Sequence, residues 1–167
     1  MQYSKTTNKA KTQKRKNATQ KPKQNTKNKQ TNKPNKQPNN MGDGNYYQKK
    51  LQEPWFGLIQ TGVKKVEGRP NKGDFAEMDV GDNVEWTNDL TGKNRRLLTK
   101  IVGIRRYNTF YDMIETEGLN NVLPATGAGI HTVKDGVNKI YRQWYNAKVE
   151  KKYGVVAIEV EVIKMLN

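Results

Sequence analysis

The uneven distribution of charge most constrains what this 167-residue chain can fold into. Residues 1–45 carry twelve Lys or Arg and a single acid, Asp43, whereas residues 46–167 carry nineteen Lys or Arg and fifteen acids. The first segment is mainly Lys, Asn, Gln and Thr, so it cannot bury enough apolar surface to offset an ordering entropy of about 1–2 kcal/mol per residue. We therefore predict a disordered basic tail over residues 1–45 and one folded domain over residues 46–167.

The charge of the tail suits a polyanion, because basic side chains that contact phosphates release condensed counterions. Its densest basic cluster is Lys14, Arg15 and Lys16, in the stretch "KTQKRK", which is also a weak match to a nuclear-localisation signal. The alternative is a tail that only keeps the protein soluble. Because the tail has almost no balancing acids, we expect it to add non-specific affinity for nucleic acid, RNA or DNA.

The composition excludes several classes of function. The chain has no cysteine, its one histidine is His131, and its one serine is Ser4 in the tail, which excludes disulfides, thiolate metal sites and a serine triad. No apolar run approaches the roughly 20 residues of a membrane span, and the N-terminus lacks a signal-peptide core. We expect no metal, no cofactor and no membrane contact, with the protein in the cytoplasm or nucleus, or in a virion or infected cell if viral.

The apolar pattern of the domain predicts helices interspersed with a few strands. The predicted order is a helix at 46–62, an extended segment at 63–69, a loop at 72–82, a strand at 83–87, a hairpin connection at 88–94, a strand at 95–107, a helix at 108–118, a glycine-rich loop at 123–132, a helix at 133–154 and a strand at 155–163. This order favours an α+β fold, a small barrel, over a doubly wound sheet.

The stretch "GVKKVEGR", residues 62–69, places one carboxylate among several cations. In an extended segment Lys65, Glu67 and Arg69 share one face, and Lys64 at the preceding corner reaches them only if the turn directs it there. An arginine that holds a carboxylate can fix it for work, and a lysine beside it can act as an acid, a base or a phosphate clamp. The alternative is a surface ion-pair cluster, which is common and weakly stabilising.

The same stretch fits Gly-x-Lys-x-x-Glu-x-Arg, the signature of the ASCH domain, a relative of the PUA RNA-binding fold. "EPWFGLIQTG", "VGDNVEW", "YNTFYDMIETEGLNNVLP" and "IYRQWYNAKVEKKYGVVAIEV" resemble other segments of that family in the same order, so the resemblance covers about residues 50–163. It implies a small PUA-like β-barrel with helices that cover its openings, and a cleft beside the motif that suits RNA or a nucleotide.

By this resemblance Lys64, Glu67 and Arg69 are the motif residues of the cleft, whereas Lys65 lies outside the motif. Tyr141 and Tyr145 are candidates for stacking on bases, as aromatic rings do in single-stranded RNA recognition. Core packing at helical spacing is the alternative for both tyrosines, and for the neighbouring Trp144. Asn88 is a candidate for a base-edge hydrogen bond, with an ordinary turn asparagine as the favoured alternative.

These residues favour an RNA-binding or nucleotide-binding protein and leave two alternatives open. The first is an enzyme on modified nucleosides or RNA, with Lys64 and Glu67 as acid and base and Arg69 stabilising phosphate charge. Some bacterial proteins of the resembled family remove the acetyl group from N4-acetylcytidine, but they have a threonine nucleophile where Glu67 stands. The second is a packaging protein in which the tail alone binds nucleic acid. The oligomeric state is left open.

Overall fold

A computed structural model of the chain describes residues 44–89, 94–124 and 129–166. The predicted disordered tail lies outside the described residues, apart from its last two positions. The same holds for residues 90–93 of the predicted hairpin connection and residues 125–128 of the predicted glycine-rich loop.

One mixed sheet organises the domain. Its strands are β1 Tyr46–Lys50, β2 Val66–Pro70, β3 Asn83–Asn88, β4 Arg95–Tyr107 and β5 Val155–Leu166, in the spatial order β1-β3-β4-β5-β2. β1 runs parallel to β3, and the other three pairs are antiparallel. The sheet curls into a half-barrel with several helices packed on it, which confirms the predicted α+β class.

The helices are short, and along the chain each of them lies in a connection between two strands. They are α1 Trp55–Gln60, α2 Asp74–Glu77, α3 Phe110–Glu117, α4 Leu119–Val122, α5 Val133–Asp135, α6 Arg142–Trp144 and α7 Ala147–Tyr153, with a π-helical segment, Gly136–Tyr141, between α5 and α6. Within the described ranges, none of these helices has the length and apolarity that crossing a membrane requires.

Apolar side chains pack on both faces of the sheet. One cluster joins Phe56 and Ile59 of α1 to Trp86 of β3, and the other joins Phe110 and Met113 of α3 to the start of β5. Each such side chain contributes about 1.5–3 kcal/mol on burial. β4 has the predicted bounds of residues 95–107, but only one of its faces is buried along its middle. Lys100, Val102 and Arg106 on the other face are exposed, so the prediction of a strand covered on both faces is wrong.

The helix predicted at residues 46–62 is wrong in its first half. Tyr46–Lys50 is a strand, because its backbone pairs in parallel with β3 and buries Tyr47. The helical spacing of apolar residues begins only at Leu51, and α1 starts immediately after Pro54, as a proline at a helix start allows. The loop predicted at 72–82 contains the short helix α2.

The helix predicted at residues 133–154 is interrupted. A π-helical segment occupies Gly136–Tyr141, and Tyr145 is extended with φ −132° and ψ 117°. Asn146 then starts α7 afresh, since its side chain accepts a hydrogen bond from the Val149 N–H at 3.0 Å. The break redirects the residues just before it toward the sheet edge at β2. The predicted inward stripe of β5 also ends early, because Val162 is exposed.

Candidate functional site: an aromatic cavity beside β2

A cavity of about 230 Å³ lies where four segments of the domain meet. The segments are the chain between β1 and α1, strand β2 with its preceding turn, the residue after α4, and the stretch from the π-helical segment to Tyr145. Its lining residues are Lys50, Leu51, Gln52, Trp55, Lys64, Glu67, Gly68, Arg69, Leu123, Ile140, Tyr141, Trp144 and Tyr145. The cavity therefore combines a mostly apolar and aromatic wall with the charged residues of "GVKKVEGR".

A buried triad of charges forms the base of this cavity. The Glu67 carboxylate lies between two cations, with Oε2 3.2 Å from Lys64 Nζ and Oε1 2.7 Å from Arg69 Nε. The Glu67 side chain is 9% exposed, so the cluster is not the solvated surface turn that the sequence also allowed. Two cations around one carboxylate leave a net positive charge at the base of the cavity.

Lys64 is held from three sides and is almost fully buried. Besides Glu67, its Nζ donates hydrogen bonds to the carbonyl oxygens of Val66 and Val122. A neutral amine has only two N–H groups, so three acceptors are satisfied only by the ammonium form. Lys64 thereby ties the start of β2 to the end of α4, and its ammonium also lies 5.6 Å from the centre of the Trp55 ring.

Arg69 connects the triad to the rim of the cavity. Its Nε donates to Glu67, one terminal nitrogen lies 3.4 Å from the Tyr145 hydroxyl, and the other donates to the Lys50 carbonyl at 3.2 Å. Its guanidinium also lies 5.2 Å from the centre of the Phe75 ring. These contacts fix the plane of a group that can offer two parallel N–H donors to a carboxylate, a phosphate or a base edge.

The neighbouring charges shift the pKa of each group in the triad. Burial acts to raise the pKa of Glu67, but Lys64 and then Arg69 outweigh it and hold that pKa below its ordinary value. Burial lowers the pKa of Lys64, and the Glu67 carboxylate opposes this shift. Burial acts to lower the pKa of Arg69, and Glu67 with Tyr145 raises it above its ordinary value. Glu67 is therefore a carboxylate, an acceptor only, at neutral pH.

The aromatic wall is anchored by Phe110 of α3. The Phe110 ring stacks on Tyr141 at 4.0 Å between ring centres, and on Tyr145 at 5.6 Å, with interplanar angles of 15° and 17°. Tyr141 is buried, and burial with the nearby Glu67 raises the pKa of its phenol well above the ordinary value. The wall is thus rigid where Tyr141 lies and reaches solvent at Tyr145.

Close packing of this wall requires a glycine in β2. A methyl group at Gly68 would lie 2.4 Å from the Tyr141 hydroxyl oxygen and 2.5 Å from Cε of Met113. Real side chains do not approach that closely, so any larger residue would force Tyr141 or Met113 out of place. The second glycine of "GVKKVEGR" is therefore needed for the tyrosine to contact the strand backbone.

The structure brings together most, though not all, of the predicted site residues. Lys64, Glu67, Arg69, Tyr141 and Tyr145 all line the one cavity. A ligand contact by any of them stays a prediction.

Two other residues lie away from the cavity lining. Asn88 is buried, and its amide donates to the Leu51 carbonyl at 2.9 Å, which supports the fold; its base-edge role also stays a prediction. The Lys65 side chain is exposed and lines a separate surface depression beside β5, so it does not share the Glu67–Arg69 face as strand alternation predicted.

Two tryptophans complete the cavity and were not predicted as site residues. Core packing at helical spacing was the alternative given for Trp144, but the residue is 60% exposed and lines the cavity rim. Trp55 lines the cavity from α1. The signal available in the sequence was their position: Trp144 is adjacent to Tyr145, and Trp55 directly follows Pro54. Within the described residues, no group of three or more His, Asp or Glu is placed to hold a metal ion.

Comparisons with known proteins agree on one family. Residues 50–164 match the ASCH domain. The crystal structure of the hypothetical protein PH0355 is 42% identical in sequence, with a TM-score of 0.61, over 71% of this chain and 99% of that chain. The solution structure of protein PF0455 from Pyrococcus furiosus is 38% identical, with a TM-score of 0.56, over 71% and 98%. No curated protein matches the chain.

Proposed function

Because the chain belongs to the ASCH domain family, we propose that it binds single-stranded RNA and holds one nucleotide of the strand in the cavity beside Glu67 and Arg69. Family membership suggests nucleic-acid binding in general. The observation that carries the finer proposal is the combination in one cavity of an aromatic wall with a fixed carboxylate–guanidinium pair. These are the two kinds of group that recognise an unpaired base.

The size of the cavity suits a single base or nucleoside. Its 230 Å³ falls below the roughly 300–1,000 Å³ that is usual for sites of drug-sized ligands. Trp55 and Trp144 both line it, and base–aromatic stacking contributes about 1–3 kcal/mol per base. Stacking of a nucleobase on these aromatic side chains would therefore strengthen RNA binding whichever of the four bases it is.

The charged groups at the bottom of the cavity would supply hydrogen bonds to a nucleobase. Glu67 accepts only, and a carboxylate has about four lone-pair positions, so it can accept from an exocyclic amine while it remains paired with Lys64 and Arg69. Arg69 has five N–H groups, three of which contact Glu67, Tyr145 and Lys50. The site therefore offers both an acceptor and donors to the edge of a base.

In this proposal Lys64 and Glu67 hold the site and do not transfer protons. Burial lowers the pKa of Lys64, but its three acceptors favour the ammonium form. The lowered pKa of Glu67 keeps that group a carboxylate, so both charges are assigned to holding the site. The tail, through Lys14, Arg15 and Lys16 among others, would add affinity for any phosphate backbone.

The test is the affinity of the full chain for a fluorescent 12-nucleotide single-stranded RNA after the substitution Trp144→Ala. Loss of one stacking partner is expected to weaken binding about 5- to 150-fold, which corresponds to roughly 1–3 kcal/mol. Tyr111→Ala is the matched control, since Tyr111 is also exposed, at 45%, but lies on α3 outside the cavity lining. Equal affinity of the two variants would contradict the proposed site.

A further inference from the structure

Helix α7 presents a row of lysines to solvent. Lys148, Lys151 and Lys152 are spaced three and four residues apart, which places them on one helix face. All three are exposed, whereas Glu150 faces inward, where it is paired with Arg142 and accepts from the Phe110 N–H. The helix is thus held by its inner face, and its lysine face is left for other contacts.

A fourth lysine, from the loop after β2, joins this face. Lys72 Nζ lies 5.7 Å and Lys152 Nζ 4.9 Å from the centre of the Tyr153 ring. The backbone fixes this meeting point, since the Asn71 N–H donates to the Gly154 carbonyl at 3.1 Å. We call Lys72, Lys148, Lys151, Lys152 and Tyr153 the α7 basic surface.

No carboxylate neutralises this surface within the described residues. None of its four lysines forms an ion pair there. Around the cavity and along the strands, by contrast, acidic side chains are paired with basic ones. The Lys152 ammonium, with a smaller contribution from Lys72, lowers the pKa of the Tyr153 phenol, which reflects the positive potential around the ring. Four uncompensated cations on one exposed face are complementary to a polyanion.

The α7 basic surface begins just beyond the β2 residues of the cavity. Arg69 contributes to the cavity, Pro70 ends the strand, and Lys72 follows two residues later. The chain turns there, since the Lys72 N–H donates to the Pro70 carbonyl at 2.8 Å, and three residues span at most about 10 Å. A strand of nucleic acid with one nucleotide in the cavity therefore has its neighbouring phosphates within reach of Lys72 and α7.

We propose that the α7 basic surface is a second subsite, which binds the phosphodiester backbone of the RNA strand whose neighbouring nucleotide occupies the cavity. This inference rests on the proposed function of the cavity. In it Tyr153 is a positioning residue: the ammonium groups of Lys72 and Lys152, from two different elements, lie 5.7 Å and 4.9 Å from the centre of its ring, where the phosphates of one strand can contact them.

The experiment is a salt titration of the full chain on the 12-nucleotide RNA, with the triple variant Lys148→Gln, Lys151→Gln, Lys152→Gln. Each lost phosphate contact lowers the slope of log affinity against log salt by about 0.7, so the slope should fall by about 2. The control is Lys100→Gln, Lys134→Gln, Lys164→Gln, which removes the same charge from exposed positions elsewhere on the domain. Because both variants keep the tail, its contribution cancels. Equal slopes for the two triples would overturn the proposal.

Two further measurements separate this subsite from the cavity. A fluorescent mononucleotide, which has no neighbouring phosphates, should bind the α7 triple variant as it binds the wild type, and should bind Trp144→Ala weakly. If Trp144→Ala leaves both probes unchanged, the cavity proposal fails independently of α7. Tyr153→Phe should retain the wild-type slope, and Tyr153→Ala should reduce it; equal slopes for these two variants would contradict the positioning role.

Discussion

At the scale of single residues, Glu67 decides whether the base of the cavity is stable. It is buried between two cations, and without it Lys64 and Arg69 would repel each other with little water to screen them. A buried ion pair is weak evidence for stability as such, but removal of one partner leaves an uncompensated charge, which is costly. The same residue thus supports the fold and presents an acceptor to the cavity.

Glu67→Gln is expected to lower the free energy of unfolding by about 3–5 kcal/mol at pH 7, the usual cost of breaking a buried pair from one side. The folded-state pKa of Glu67 lies below its unfolded value, so its contribution is complete above about pH 4.5 and is lost as the pH falls through the folded-state pKa. Urea unfolding should therefore show the gap between wild type and variant narrowing below pH 4.5. Glu161→Gln, at an exposed position of β5, should cost less than about 0.5 kcal/mol.

Gly68→Ala tests the close contact between β2 and the aromatic wall. The added methyl would lie 2.4 Å from the Tyr141 hydroxyl, so we expect overpacking to cost about 1–3 kcal/mol in urea unfolding. Gly57→Ala is the comparison, because the nearest atom to its methyl is the movable end of the Glu53 side chain at 3.0 Å. If Gly68→Ala were the better tolerated of the two, the Tyr141 contact would not constrain β2.

At the scale of elements, the break between α6 and α7 builds the site. A continuous helix over residues 133–154 would carry Trp144 and Tyr145 on the same regular stripe as Val137 and Tyr141. The π-helical segment and the extended Tyr145 instead leave Tyr141 buried in the wall, Tyr145 within reach of Arg69, and Trp144 at the rim. π-Helical turns within helices are frequent at functional sites.

The aromatic wall of the cavity depends on the start of α3, which positions Phe110. The Thr109 hydroxyl accepts from the Asp112 N–H at 3.0 Å, and the next residue is Phe110, on which both tyrosines stack. Thr109→Ala should lower the free energy of unfolding by about 1 kcal/mol through loss of the N-cap, as measured by urea denaturation. Thr109→Ser keeps the hydroxyl and should recover most of that stability. A Ser variant no more stable than the Ala variant would show that the cap is not the cause.

At the scale of the whole molecule, charge is divided between a basic tail and a domain with a local basic face. The chain carries a net charge of +15, of which the tail supplies the larger part. Such a field raises association rates with nucleic acids of any sequence, whereas the proposed role of the cavity is to discriminate among bases. We expect affinity to come from both sources and base preference from the cavity.

Replacement of Lys14, Arg15 and Lys16 by Gln in the full chain tests the contribution of the tail. If each contacts one phosphate, the salt slope for single-stranded RNA should fall by about 2, and affinity should fall by a similar factor for RNA and single-stranded DNA of any sequence. Fluorescence anisotropy over a range of salt concentrations measures both quantities. A loss confined to one RNA sequence would instead assign the cluster a part in base recognition.

The sequence by itself determined the elements whose signals are local. The apolar pattern of 95–107 predicted β4 with its bounds, and the helix predicted at 108–118 contains α3 between its caps Thr109 and Gly118. The spacing of Glu67 and Arg69 predicted that the two would meet, because alternate residues of a strand share a face whatever surrounds them.

Tertiary structure decided the features that depend on distant partners. Tyr46–Lys50 is a strand only because β3 supplies parallel hydrogen bonds across more than 30 residues of chain. Lys64, rather than Lys65, pairs with Glu67 because the turn directs its ammonium to the carbonyl of Val122, which belongs to another element. Local propensity encodes neither a partner strand nor a distant carbonyl. These long-range hydrogen bonds place Lys64, Glu67 and Arg69 at a cavity instead of on a solvated turn.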